Sequence, residues 1–298
     1  MAIAGIFLFS AKAVLVKIAY QYQIDSVSLL LLRMVFALPV YLIILMNEWK
    51  KPKPGVVTRK DYISVVALGF MGYYLASFFD FHGLKYITAS LERLILFIYP
   101  TLVVVISALV FRKNITVNQT VAILLTYLGI LVTFIPDLGS QGKGDVWTGS
   151  VLIFLSAFTY AMYIVGSGNL IPRMGPRFFT ALVMTVSCCC VFVHYAIVNE
   201  SDITSFPWEI YVIGFVMAIF STVIPSFLVS MAIKKIGSSN FAIIGSVGPI
   251  STIVLAALFL QEVITTYQMI GTVIVIGGIA VLRKKKTLHL SFGKVRKK

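Results

Sequence analysis

Apolar residues run through this chain in blocks close to 20 residues long, separated by short polar pieces. The pattern predicts ten helices, at 1–19, 26–46, 62–82, 87–111, 117–135, 147–167, 177–198, 209–233, 239–260 and 266–282. Blocks of about 20 residues match a hydrocarbon core about 30 Å thick, and a helix satisfies its own backbone groups there. The connecting pieces are too short to hold a second domain. The longest break, 136–146, carries Gly139, Gly142 and Gly144 with Asp137 and Asp145 and reads as a flexible linker. The expected fold class is therefore all-α integral membrane, ten transmembrane helices in one bundle.

The ten blocks divide into two similar sets of five. Shifting residues 85–132 by 149 positions, without a gap, lays Lys85 on Lys234, Ser90 on Ser239, Pro100 on Pro249, Gln119 on Gln268 and Gly129 on Gly278. More weakly, Ser10-Ala11 resembles Ser156-Ala157 at the start of each set. Under the same shift the basic turn Arg112-Lys113 becomes Gln261-Glu262. Five is odd, so the second set enters the membrane from the other side, and the swapped turn charge agrees. The expected organisation is 1–136 and 147–282 as two inverted five-helix repeats, with 283–298 as a basic cytoplasmic tail. Inverted repeats are the architecture of many secondary transporters. Pro100, Pro225 and Pro249 lie inside blocks, where each removes a backbone donor and kinks the helix. Two of the three are repeat-related, and interruptions at matching depths point to a central site.

Composition narrows the partners. Of the 298 residues, 59% are hydrophobic and 12% charged, against about 25% charged in soluble domains. The net charge of +14 argues against nucleic acid once its placement is considered. With the N-terminus inside, the inner connections hold Lys50, Lys51, Lys53, Arg59, Lys60, Arg112, Lys113, Arg173, Arg177, Lys234 and Lys235, and the tail is rich in lysine and arginine. The outer connections hold Lys85 and Lys143. This asymmetry places both termini in the cytoplasm and the chain in the cytoplasmic membrane. The bilayer is then the surrounding partner. Cys188, Cys189 and Cys190 are consecutive, a spacing that suits neither disulfides nor metal and reads as packing. His82, His194 and His289 show no metal-ligand spacing, so no cofactor is expected. Glycines inside blocks, among them Gly69, Gly72, Gly166, Gly168, Gly277 and Gly278, are expected to let helices approach closely.

Ionisable groups inside the blocks are Lys12, Lys17, Arg33, Asp80, Glu92 and Arg93. Each costs about 2.5–3.5 kcal/mol to place in a membrane and tends to be functional. Arg33 lies seven residues into its block, roughly 10 Å deep at 1.5 Å per residue. Lys17, Arg33, Asp80, Glu92 and Arg93 fall in the outer third, with Lys12 deeper. They form either a structural ion-pair network with Lys17 and Arg33 snorkelling outward, or a site and gate for an anionic or zwitterionic group. In the second reading Arg33, Arg93 and Lys17 attract the ligand while Asp80 and Glu92 hold them. An arginine fork suits a carboxylate or phosphate. Glu92 with Tyr99, and Arg93 with Pro100, are seven apart and share a helix face. Tyr73, Tyr74, Phe78, Tyr160 and Tyr163 are the candidate wall of a polar cavity.

Several short segments together resemble the EamA family of the drug/metabolite transporter superfamily. They are Gly83-Leu84-Lys85-Tyr86-Ile87-Thr88-Ala89-Ser90, Leu91-Glu92-Arg93-Leu94, Tyr99-Pro100-Thr101, Ser221-Thr222-Val223-Ile224-Pro225, Gly248-Pro249, Leu260-Gln261-Glu262 and Gln268-Met269-Ile270-Gly271. Lys17 and Arg33 match basic positions of the family, whereas Phe111-Arg112-Lys113-Asn114 departs from its usual turn. The resemblance implies ten helices in two inverted repeats and secondary transport of a small metabolite, an amino acid or an organic anion, frequently outward. Proton coupling through Glu92 and Asp80 and uncoupled facilitation are both compatible with these residues, and oligomeric state is left open. A lipid flippase and a non-transporting receptor are the alternatives. An enzyme is not expected, because no nucleophile–base or metal constellation is present.

Overall fold

The computed structural model describes residues 2–111, 117–138, 145–198, 202–245, 248, 255, 257–261 and 264–283. Every regular element among them is helical. In chain order these are α1 (Ala2–Tyr20), α2 (Ser26–Trp49), α3 (Arg59–Gly83), α4 (Ala89–Leu96), α5 (Tyr99–Phe111) and α6 (Val117–Leu138). There follow α7 (Val146–Met174), α8 (Pro176–Val198), α9 (Trp208–Ile236), α10 (Ser238–Ile244) and α11 (Thr266–Arg283). Five of them, α2, α3, α7, α8 and α9, are long and apolar enough to cross a membrane. Parts of α5, α6 and α11 are shorter apolar stretches. The expected kink at Pro249, the turn at Lys113 and Glu262, and the tail beyond Arg283 lie outside the described residues.

The helix boundaries follow from local chemistry. Asp25 caps α2 by accepting from the backbone N–H groups of Val27 and Ser28 at 2.9 and 2.8 Å. Thr88 caps α4 by accepting from the Leu91 N–H at 3.1 Å. The block expected as one helix over 87–111 breaks at Phe97-Ile98, just ahead of Pro100. Pro100 has no N–H to offer the carbonyl four residues back, so the turn before it opens. The expected end at 167 is passed by two turns, because Gly166 and Gly168 seat against Leu68 and Ser238 and let the helix continue to Met174.

Two helices contain a π turn, Phe70–Leu75 in α3 and Ile219–Val223 in α9. The second has a direct cause. Pro225 clashes with a regular preceding turn, and the wider turn relieves the clash, with the Ile224 N–H bonding to Ile219 O. The Thr222 hydroxyl then donates to Met217 O at 3.0 Å. In α3 no proline is present; the π turn surrounds Gly72, whose missing side chain admits Tyr163 of α7.

Packing pairs α2 with α8, α6 with α11, α3 with α7, α1 with α9, and α5 with α10. Glycines set several of these approaches: a Cβ on Gly129 would meet Gly271 O at 2.6 Å, and one on Gly69 would meet Val183 O at 2.7 Å. Gly277 faces open space instead, so it makes no close approach. Cys188 is buried against Met34, as packing predicts.

At one end of the bundle the 50–58 connection clasps the α7–α8 turn. The Gly55 N–H donates to Arg173 O at 2.9 Å, Arg173 pairs with Asp61 at 3.1 Å, and the Lys53 ammonium sits 3.7 Å from the Phe178 ring centroid. Partial burial there pulls the Lys53 ammonium below its ordinary pKa. The α7–α8 and α9–α10 turns consist of one glycine each, Gly175 at φ 82° and Gly237 at φ 78°. A Cβ on Gly237 would meet nothing within 4 Å, so the cost of Gly237→Ala is purely conformational. It is expected to destabilise by about 1–2 kcal/mol, readable as a lowered unfolding midpoint in detergent.

Candidate functional site

Helices α1, α2, α3, α4, α5, α7, α9 and α10 surround a partly open cavity. Three cations, Lys12, Arg33 and Arg93, reach it together with Tyr73, Tyr99 and Tyr160. Several lining residues arrive by a local feature of the chain. Tyr73 lies in the π turn of α3, Thr222 in the π turn of α9, and Leu96, Phe97 and Tyr99 flank the break before Pro100. Irregular backbone therefore sits where the cavity is.

Behind the cations lie two carboxylates that are wholly buried. Lys12 Nζ is 2.5 Å from Asp80 Oδ2, and Arg93 Nε is 3.8 Å from Glu92 Oε2. Arg93 also donates through Nη2 to Phe9 O at 3.1 Å. Asp80 and Glu92 have no exposed surface and do not line the cavity. Arg33 differs from its two neighbours in having no carboxylate within ion-pair distance among the described residues. It is 2% exposed, its Cζ lies 4.8 Å from the Phe81 ring centroid, and its Nε and Nη2 have no hydrogen-bond partner among the described residues. Taken together, Lys12, Arg33 and Arg93 exceed Asp80 and Glu92 by one positive charge.

The tyrosines form one continuous set of rings. Tyr99 meets Tyr160 edge-on at 5.4 Å, Tyr160 stacks on Tyr163 at 5.9 Å, and Tyr73 meets Tyr163 edge-on at 5.0 Å. Such geometries suit the ring quadrupoles. Tyr163 is the most deeply buried member, wedged against Gly72 and stacked on Phe179 at 6.3 Å. The Tyr99 hydroxyl lies against Gly245, a position where no side chain fits.

Of the residues expected at the site, Lys12, Arg33, Tyr73, Arg93, Tyr99 and Tyr160 line the cavity, with Asp80, Glu92 and Tyr163 directly behind. Lys17, Tyr74 and Phe78 do not line it. Asp80 is paired with Lys12, which the expected depths set apart from it. Lys17 is half-buried more than a turn further along α1. Tyr74 and Phe78 belong to the adjacent stripe of α3 and pack on His194 of α8, at 5.6 and 4.9 Å between ring centroids. One residue along a helix is about 100° of rotation, which separates Tyr73 from Tyr74. His82 continues that stripe, stacked on Phe78 at 5.7 Å and 3.1 Å from Ser26 Oγ. The expected shared face of Glu92 and Tyr99 does not exist, because the helix breaks between them.

Sequence reasoning missed Ser77, Phe9, Phe97, Phe241, Gly245 and Gly248 as lining. Ser77 stands three residues before Asp80, one turn away, and that signal was available. Ser10 and Ser156, recognised as a pair, each donate across a helix contact, to Gly248 O at 3.2 Å and Ala76 O at 2.7 Å. Among the described residues no group of acidic, histidine and cysteine side chains is placed to hold a metal.

Comparison with known proteins agrees with this architecture. The model of the EamA-like transporter family matches twice, over residues 1–135 and 147–283. An uncharacterised transporter of Bacillus subtilis (strain 168), YcbK, is 30% identical over 271 residues, covering 90% of this chain and 86% of its own. An uncharacterised transporter of Synechocystis sp., sll1319, is 26% identical over 278 residues, covering 88% and 80%. One protein of known crystal structure shares the fold with a TM-score of 0.70 at 16% identity, over 95% of this chain and 94% of its own. On these matches, and with its apolar helices, the chain belongs to the EamA-like transporter family and is a multi-pass membrane transporter.

Proposed function

We propose that the protein carries a small anionic or zwitterionic metabolite across the cytoplasmic membrane by alternating access, with the cavity between α1, α3, α4, α7 and α9 as its central site. The observation that carries this is Arg33, a buried guanidinium at the cavity whose Nε and Nη2 lack acceptors. A carboxylate or phosphate entering the cavity supplies acceptors in a geometry that matches the guanidinium fork, and it balances the surplus positive charge. Lys12 and Arg93 shape the field around it, and Asp80 and Glu92 are their fixed counter-charges.

Alternating access rests on two halves, 1–136 and 147–282, each of five helices and inserted in opposite senses, with both termini cytoplasmic. Three observations support the division into two related halves. Phe70 and Ile219, which open the two π turns, coincide under the 149-residue shift. Contacts between the halves come in reciprocal pairs: α1 with α9 answers α7 with α3. The family model also matches each half separately. In that topology the buried carboxylates lie toward the outside, while Phe241 and Phe9 lie toward the cytoplasm. Export would require this cavity to open to the cytoplasm when it loads its substrate.

Arg33→Gln keeps hydrogen-bonding capacity but removes the charge. Flux of an anionic substrate in proteoliposomes is expected to fall by about tenfold to a hundredfold, the worth of one charge-assisted contact. The same rate in the variant, at equal protein incorporation, rules this site out.

A further inference from the structure

The cavity also discriminates between an anion and a zwitterion. Among the described acidic residues, Asp80 and Glu92 are those at the level of the cavity, while Asp25, Glu48, Asp61, Asp145, Asp202 and Glu209 fall near helix ends or in connecting segments. Both are already set against a cation, at 2.5 and 3.8 Å, and neither lines the cavity. The stretch between Gly245 and Leu255 contains no acidic residue in its sequence. A substrate ammonium would thus meet no carboxylate, and it would share the space with Lys12, Arg33 and Arg93. Leaving an ammonium desolvated without a counter-charge is costly. Ring faces of tyrosine offset only a small part of that cost.

The same count limits the negative side. With Asp80 and Glu92 both ionised, one carboxylate neutralises the surplus cation, and a second would sit in a poorly solvated cavity without a partner. Much of the remaining wall is aromatic, formed by Tyr73, Tyr99, Tyr160, Phe9, Phe97 and Phe241. Edge-to-face contacts with such rings favour an aromatic or otherwise planar body. Ser77 and Thr222 also line the cavity.

Resting on the proposed role of Arg33, the geometry points to a narrower substrate class: aromatic or planar monocarboxylic acids without an amino group. Amino acids, amines and dicarboxylates are selected against.

Four probes that share a phenylethyl group test this with the unaltered full-length protein. They are 3-phenylpropionate (monoanion), L-phenylalanine (zwitterion), 2-phenylethylamine (cation) and benzylmalonate (dianion). Binding is read by thermal stabilisation of the detergent-purified protein and by proteoliposome flux. 3-Phenylpropionate is expected to bind about tenfold or more tightly than each of the other three, and Arg33→Lys, which retains the charge, is expected to keep that order. Equal or tighter binding of L-phenylalanine or benzylmalonate, still dependent on Arg33, overturns the monocarboxylate class and leaves the anion site standing. Preference for 2-phenylethylamine, or binding unaffected by Arg33→Gln, overturns both. No stabilisation by 3-phenylpropionate at millimolar concentration also overturns the class.

Discussion

Asp80→Asn is expected to destabilise the protein by about 3–5 kcal/mol, the usual penalty for stripping one partner from a buried ion pair. Asp80 has no exposed surface and Lys12 is 9% exposed, so water cannot replace the lost charge. Asparagine fills nearly the same volume, so packing is retained and the electrostatic effect is isolated. Lys12, Arg33 and Arg93 would then share Glu92 as their nearby carboxylate. The measurement is the unfolding midpoint in detergent, with membrane-inserted yield as a second readout. Lys12→Met combined with Asp80→Asn removes both charges and is expected to recover most of the loss, because a neutral pair leaves no stranded ion. A single variant as stable as the parent, or a double variant no better than the single, contradicts the counter-charge role. The contrast with Arg33 is useful. Arg33→Gln relieves a surplus cation, so it should impair transport with little loss of stability, whereas Asp80→Asn should do the reverse first.

How far the sequence reveals this site depends on which physical term marks each residue. Charges in an apolar block are visible because burying them is expensive; Lys12, Arg33, Asp80, Glu92 and Arg93 come together in one cluster. Proline is visible for the same kind of reason, and the break before Pro100 does open onto the cavity. Helix face is another matter. In a span surrounded by lipid and protein there is little amphipathic contrast, so Tyr73 and Tyr74 look alike until packing distinguishes them. The π turns add to this, since each inserts an extra residue and shifts the phase of everything after it. Apolar lining residues such as Phe97 and Phe241 carry no mark at all, because a cavity wall and a packed core use the same side chains. Glycines are intermediate: Gly72 and Gly277 are equally plain in sequence, yet one is wedged against another helix and the other faces open space.

That last difference sets the second large effect. A Cβ on Gly72 would lie 2.4 Å from both Cβ and Cγ of Tyr163, a separation that no rotamer of Tyr163 can relieve, because its Cβ is fixed by the α7 backbone. Gly72→Ala therefore has to move α3 away from α7, at the π turn that carries Tyr73 into the cavity. Overpacking of this kind costs about 2–3 kcal/mol, and trimming Tyr163 to alanine should not rescue it, since the clashing Cβ remains. The displacement also separates Tyr73 from Tyr163, now 5.0 Å apart between ring centroids, so substrate affinity should fall along with stability. Gly277→Ala is the matched control: the added methyl meets nothing within 4 Å, and helix propensity alone makes the change neutral or stabilising by up to about 1 kcal/mol. Unfolding midpoints of the two variants, measured side by side in one detergent, decide the matter. If Gly72→Ala matches Gly277→Ala, the α3–α7 contact has slack, and the wall that Tyr73 builds cannot depend on that contact.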